Sequence, residues 1–423
     1  MQLTNVTMNG VNLTNGEGTA TDQSHLTLQG DNVVNHSLLT NRVNATTTLA
    51  GNLDFGGSTL YNQSNLWMQN LTMQGGEITG AMPRTQRLLS LASGDASSTL
   101  VNAYNSHSVL TDATVVQSSL VNGSGEASDQ SSLLLQGDNT VAQTTIENKK
   151  NSSLSLSGNL DFSGSVLNNN ATVAMDKLAM QGGQIINNGL LQVNSSSSTG
   201  SLINNGNILL SHCPGCETRT LTVNGDYVGN NGTVTVATNL TGGEQRTDKM
   251  VITGNASGNT YVAFSNRTAS NAPVVDTVKV FETGSSTSGA FVQQQRVVAG
   301  GYDYQLQQGN DTDNHNWYLS NLKNGQHLTR PEGGSYTTNL AAAAGLFNTR
   351  LADRMSSSTV VSGQNSSSLW LRVLAAHSRG QLAGNTASYT ADRSLTQLGG
   401  DLLAGSANGK DGYHVGVMAG YGK

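Results

Sequence analysis

The chain has 423 residues and a net charge of −6, with charged residues at 11%, aromatics at 5%, 49 glycines and four prolines. So little charge and proline exclude an expanded disordered tail. The lack of a basic stripe excludes nucleic-acid binding, and no apolar run is long enough for a transmembrane helix. A core this poor in aromatics must be built from Leu, Val, Ile, Ala and Met in thin, regular layers, which points to an all-β repeat protein.

The first twenty residues, from Met1 to Ala20, have neither the basic start nor the apolar stretch of a signal peptide and already read as repeat sequence. A long duplication follows. Residues 118–189 repeat 11–82 without a gap, and about half of the aligned positions are identical. Asp22-Gln23-Ser24 returns as Asp129-Gln130-Ser131, and Gly51-Asn52-Leu53-Asp54-Phe55 as Gly158-Asn159-Leu160-Asp161-Phe162. A repeat unit that long covers several coils of a solenoid copied as one block. Inside the blocks, short apolar alternations such as Leu26-Thr27-Leu28, Leu66-Trp67-Met68 and Leu154-Ser155-Leu156 are separated by polar turns. Strands this short cannot bury a core alone, but stacked they can. At roughly 20 residues per coil and about 4.8 Å per step, residues 1–320 would form a rod on the order of 70 Å long. An antiparallel sandwich could use the same short strands, but the ungapped duplication and the Asn, Ser and Thr runs favour coils. Asn188-Gly189, Asn205-Gly206 and Asn224-Gly225 are expected to supply positive φ at tight turns.

The only cysteines are Cys213 and Cys216. In an oxidising compartment the pair reads as a turn-closing disulfide, with metal or redox work as alternatives. Residues 1–217 are thus expected to form the duplicated β-helix, and 218–320 its firmer end. There, runs such as Thr233–Val236, Tyr261–Phe264 and Val278–Phe281 are longer and more β-branched. Residues 321–356 read as a linker containing a helix over 335–355. Leu340, Ala344, Phe347 and Leu351 fall on one face, and Ser335 is a candidate cap after the breaker Pro331-Glu332-Gly333-Gly334. Its span of about 32 Å matches a bilayer core. Arg350, Asp353 and Arg354 forbid contact with lipid, so the helix suits a water-filled pore. Residues 357–423 read as strands. In Tyr413–Tyr421 an apolar face of Tyr413, Val415, Val417, Ala419 and Tyr421 has aromatics at both ends, as in a transmembrane β-strand. A soluble hairpin is the alternative.

These motifs, in this order, resemble the pertactin-like and AIDA-type autotransporters of Gram-negative bacteria over nearly the whole chain. Leu221-Thr222-Val223-Asn224-Gly225-Asp226-Tyr227 and Asp248-Lys249-Met250-Val251-Ile252 are similar to that family's autochaperone segment, and Asn316-Trp317-Tyr318-Leu319 to its end. Arg330-Pro331-Glu332 and Leu346-Phe347-Asn348-Thr349-Arg350-Leu351 resemble the linker helix. Leu369-Trp370-Leu371-Arg372, Gln397-Leu398-Gly399-Gly400-Asp401 and Gly416-Val417-Met418-Ala419-Gly420-Tyr421 resemble the opening barrel strands. The resemblance implies a right-handed parallel β-helix followed by one α-helix and about three antiparallel strands of an incomplete barrel, truncated at both ends relative to the family. It also implies display at the outer membrane, with anchorage through the barrel and its assembly machinery.

No HExxH, GxSxG or Walker pattern occurs, and the family's protease motif is absent. Catalytic, cofactor and metal residues are expected to be none. Asp22, Asp31 and Asp54, copied as Asp129, Asp138 and Asp161, read as turn residues. The expected function is adhesin-like display toward host-cell or bacterial surface ligands, or self-association, in cell adhesion, autoaggregation or biofilm growth. The alternatives are the stalk of an enzyme whose catalytic domain lay upstream, and a non-functional fragment of a split gene.

Overall fold

The structure is a computed structural model. It describes residues 1–80, 89–91, 98–102, 105–210, 218–241, 246–268, 273–345, 347, 369–381, 388–407, 410 and 413–423. Residues 1–300 with 304–320 form one compact unit, and 301–303 with 321–423 a second.

The first unit is a parallel β-helix. Its opening coil lays down Gln2–Thr4, Thr7–Asn9 and Asn12–Asn15, which pair in parallel with His25–Gln29, Asp31–Asn35 and Leu38–Asn41 of the next coil. These three ranks continue coil after coil as three parallel faces, here called first, second and third in chain order. Because side chains alternate across a strand, every second residue points into the shaft. In Ser153–Asp161 these include Leu154, Leu156 and Leu160. Met68, Met73, Met175 and Met180 all lie in this core. Burying each such side chain stabilises the coil by about 1.5–3 kcal/mol, and only the stacked neighbours make that burial possible.

Along the third face, the registers step from Asn15 through Asn41, Asn62, Gly80 and Asn102 to Asn122. The copied block therefore equals five coils. The copy is structural as well as sequential. The bulge between Ala50 and Gly51 recurs between Ser157 and Gly158. There Gly51 and Gly158 have φ of +87° and +82°, and an added Cβ would sit 2.6 and 2.3 Å from the carbonyl oxygens of Gly30 and Gly137. Left-handed corners recur also at His36 and Gln143, at Asn44 and Asn151, and at Asn5 and Asp112. That last pair lies outside the sequence repeat, so the copied fold extends further upstream than the copied residues.

Two sequence expectations change here. Coils are less uniform than a 20-residue period, with matching corners 17 residues apart at Asn187 and Asn204 but 26 apart at Asn122 and Asn148. Gly189, Gly206 and Gly225 are not left-handed residues. An added Cβ at Gly189 would lie 2.1 Å from the Ala171 carbonyl oxygen, and one at Gly206 would lie 2.2 Å from that of Gly189. Their role is close stacking of turn on turn.

The last residue of most third-face strands is a buried asparagine, and these form an internal ladder. The Asn15 amide donates to Asn41 at 2.9 Å, and Asn41 to Asn62 at 2.7 Å. The ladder resumes from Asn102 to Asn122, Asn148, Asn169, Asn187 and Asn204 at 2.7–2.9 Å. Gly80 interrupts it, because its φ of +107° brings the Cβ position within 2.0 Å of the Asn62 carbonyl oxygen. Beyond the gap the Ser108 hydroxyl donates to Asn102 Oδ1 at 2.6 Å, filling the vacant rung. Each amide also donates to a corner carbonyl, as Asn148 does to Thr172 at 3.0 Å. The ladder thus satisfies backbone groups that would otherwise be buried unpaired.

At the C-terminal end the parallel order stops. Thr277–Ser286 pairs in parallel with the preceding coil but antiparallel with Trp317–Ser320, which pairs antiparallel with Tyr302–Gln308. An antiparallel hairpin therefore covers the second-face edge that a further coil would otherwise extend. The β-helix expected to run to residue 320 therefore gives way to an antiparallel hairpin at its end.

In the second unit, the helix Pro331–Gly345 starts four residues before the expected Ser335. Proline needs no donor at the first helical position, and Glu332 complements the positive end of the helix. Ser335 is therefore not the cap, and its hydroxyl donates back to the Pro331 carbonyl at 3.2 Å. The expected stretch from 346 to 355 lies outside the described residues except Phe347. Leu369–Gln381, Ser388–Gly405 and Tyr413–Gly422 form a three-stranded antiparallel sheet.

Candidate folding cap and display surface

The end of the β-helix holds the densest aromatic packing. Phe281 and Phe291 stack with ring centres 3.9 Å apart, Tyr227 lies 5.9 Å from Phe291, and Trp317 meets Phe291 edge-on at 5.5 Å. All four are buried. Their chain positions follow from the coil. Tyr227 sits inward on the third face, and two coils on Phe281 and Phe291 sit inward on the second and first faces. The three rings thus meet inside the shaft, and Trp317 is brought against them by the antiparallel hairpin. Polar bonds fix that hairpin. The Trp317 indole donates to Ser286 Oγ at 2.9 Å, and Asn316 Oδ1 accepts the Thr283 amide at 2.9 Å. The internal asparagine ladder ends against Tyr227, whose hydroxyl bonds Thr260 at 2.9 Å. Burial pushes that hydroxyl up to about 12, so it stays protonated. Nearby, burial raises the Asp248 carboxyl above its ordinary value, although it accepts the amides of Arg219 and Ala237 at 2.9 and 3.1 Å.

The outward positions are mostly Thr, Ser, Asn and Gln. A second, external asparagine ladder runs from Asn230 through Asn205 and Asn188 to Asn170 at 2.6–3.0 Å. Part of the third face departs from this polarity, since Ile186, Ile203 and Val228 stack in register on consecutive coils.

The recurring aspartates hold the coil. Asp22 accepts the amides of Glu17, Gly18 and Ser24 at 2.6–3.1 Å, and Asp129 those of Ser124, Ser131 and Asn105 at 2.6–3.1 Å. Hydrogen bonds led by that from the Ser24 side chain lower Asp22 from 3.8 to about 2. For Asp129, desolvation would raise the carboxyl, but bonds from Ser131, Asn105 and Ser124 outweigh it and leave it well below the ordinary range. Both groups have depressed folded values, so their contribution is complete above about pH 4 and is lost as pH falls from there toward 2. Thermal melts should therefore show a falling midpoint below pH 4. In Asp22→Asn/Asp129→Asn the midpoint should be lower at pH 7 and the acid slope shallower. An acid slope identical to that of the parent would refute this assignment.

Cys213 and Cys216 lie outside the described residues, as does Leu351. Leu340, Ala344 and Phe347 are exposed. Phe347 nonetheless approaches the sheet, because a Cβ at Gly420 would lie 2.8 Å from its ring and 3.0 Å from Gln397. Tyr413, Val415, Val417, Ala419 and Tyr421 alternate with the positions that include Gly420, and all five are exposed. Among the described residues, no three or more His, Cys, Asp or Glu side chains are grouped to hold a metal ion.

The family model for Autochaperone Domain Type 1 matches residues 197–306, which hold Tyr227, Phe281 and Phe291 of the aromatic cap and the coils below it. The chain is also 35% identical over 217 residues to the autotransporter adhesin AIDA-I of Escherichia coli, covering 48% of this chain and 16% of AIDA-I. The chain thus carries an autochaperone segment and is similar to AIDA-type autotransporter passengers. It is also 37% identical over 226 residues to the uncharacterized protein YdeU of E. coli K12, covering 48% of each chain. It is 36% identical over 243 residues to the uncharacterized protein YuaQ of the same strain, covering 53% of this chain and 18% of YuaQ. It thus spans about half or less of the length of these relatives. Sequence reasoning had found the autochaperone motifs but not the cap's geometry. Its signal is faint: Tyr227, Phe281, Phe291 and Trp317 are four of the chain's 20 aromatic residues, and nothing in their spacing says that they meet.

Proposed function

We propose that this chain displays its β-helix at the outer surface of a Gram-negative bacterium as an adhesin, without enzymatic activity. Its partners would be host-cell or bacterial surface ligands, including further copies of the same chain. The observation that carries the reading is the regular outward array of uncharged polar side chains, fixed by a rigid shaft, in a chain whose relatives include named adhesins. Repetition turns weak contacts into avidity. The aromatic cap would act as the template on which coils 218–300 and those before them add. Anchorage would come from the sheet of residues 369–422, with Tyr413, Val415, Val417, Ala419 and Tyr421 toward lipid. The segment bearing Leu340, Ala344, Phe347 and Leu351 would lie inside the pore, and Phe347 near Gly420 and Gln397, on the opposite face, supports that orientation. The test is to display residues 1–320 on non-aggregating E. coli and follow settling and adherence to epithelial cells. Faster settling or added adherence is expected. Cells indistinguishable from those displaying the anchor alone would sink the reading.

A further inference from the structure

The copied block reproduces more than a scaffold. On the second face, an open groove is lined by the outward residues Asp31, Val33, Asn52, Asp54, Thr72 and Gln74. Five coils on, the same positions carry Asp138, Thr140, Asn159, Asp161, Ala179 and Gln181. Six of the eight lining residues are identical between the copies, against about half across the block. Local geometry is kept as well. Asn52 Nδ2 donates to Asp31 Oδ1 at 2.7 Å, and Asn159 Nδ2 to Asp138 Oδ1 at 2.6 Å.

Coil maintenance explains part of this. Asp54 and Asp161 accept turn amides from Gly56 and Ser163. It does not explain Gln74 and Gln181, which are exposed and make no side-chain hydrogen bond among the described residues. A glutamine kept at both positions without a structural bond points to something outside the chain.

We infer that this groove and the copied positions five coils on form equivalent subsites for one neutral, hydroxyl-rich polysaccharide. The inference rests on the display reading and names its ligand class. Amides offer both donors and acceptors, and a carboxylate has about four lone-pair sites of which each aspartate uses only some. That set matches vicinal hydroxyls. Two carboxylates and no basic residue in the lining disfavour sulfated or acidic polymers. Without an aromatic platform a single subsite binds weakly. Two subsites, five steps of about 4.8 Å or roughly 24 Å apart along the shaft, engage one chain together and gain avidity of about 100-fold or more.

The experiment uses the full chain in detergent, with immobilised galactomannan and dextran as neutral probes, heparin as the acidic comparator and a trisaccharide too short to bridge. The variants are Asn52→Ala/Gln74→Ala, Asn159→Ala/Gln181→Ala and all four together. All positions are exposed, and unchanged melting midpoints check the fold. Expected is binding to at least one neutral polymer, about 100-fold weaker in either pair variant and lost in the quadruple variant. Two equivalents of trisaccharide should bind the parent and one each pair variant. No binding to either neutral polymer, binding insensitive to the quadruple variant, preference for heparin, or a response only with added calcium would each overturn the inference. Display of the quadruple variant separates this idea from the adhesin reading: cells that still settle would leave that reading intact while the subsites fail.

Discussion

Phe291→Ala should lower the stability of the β-helix end by roughly 3–5 kcal/mol, the range for emptying a buried aromatic site. Phe291 is the centre of the cap, touching Phe281, Tyr227 and Trp317 at once, so its loss leaves a cavity that none of the three can fill without abandoning its own packing. The effect should reach beyond equilibrium stability. In a one-dimensional array each coil is stabilised by the one beneath it, so a loosened terminal coil removes the surface on which the others form. Refolding from urea, followed by tryptophan fluorescence and far-UV dichroism, should slow markedly in Phe291→Ala. It should be nearly unaffected in Leu60→Ala, an equally buried site far from the cap. Deleting 221–320 should slow refolding further. Equal refolding rates for Phe291→Ala and Leu60→Ala would show that the cap packs last and does not template the rest.

Removing one rung of the internal ladder should have the next largest effect. Asn148 is fully buried and makes four bonds: it accepts from Asn122 Nδ2 at 2.8 Å and Ser152 Oγ at 2.9 Å, and donates to Asn169 Oδ1 at 2.9 Å and the Thr172 carbonyl at 3.0 Å. Asn148→Ala strands several of these partners out of reach of water. With each unsatisfied group costing about 1–3 kcal/mol, a loss of roughly 2–5 kcal/mol is expected. Asn168→Ala, one coil on and outward-facing, should stay within about 0.5 kcal/mol of the parent. Urea denaturation of the two variants decides the matter, and equal midpoints would mean that the ladder is an ornament of the corner.

Much of the architecture could be read before any coordinates. Short apolar alternations too small to bury themselves imply stacking, and an ungapped repeat implies that stacking partners were copied together. Both follow from local periodicity, which a sequence displays directly. The recurring Asp22 and Asp129 could be assigned to turns for the same reason: all of Asp22's amide partners named above and two of Asp129's three lie within five residues, only Asn105 being a coil away. The hairpin that closes the end, the early start of the helix at Pro331 and the true role of Gly189 and Gly206 could not. Each depends on what lies beside the segment in space.

Asn168-Asn169-Asn170 shows where that line falls. The residue types alone established a polar, turn-rich coil at this point. They could not distinguish three identical side chains whose fates differ. Asn168 is outward-facing and partly covered, Asn169 is buried in the internal ladder, and Asn170 joins the external ladder through Asn188. Neighbouring residues of a strand face opposite sides, and the phase is set by where the chain turns the corner. The partner that satisfies each amide sits about one coil away, 18 residues along for both Asn169 and Asn170. Only the stacked coils bring those amides within hydrogen-bonding distance.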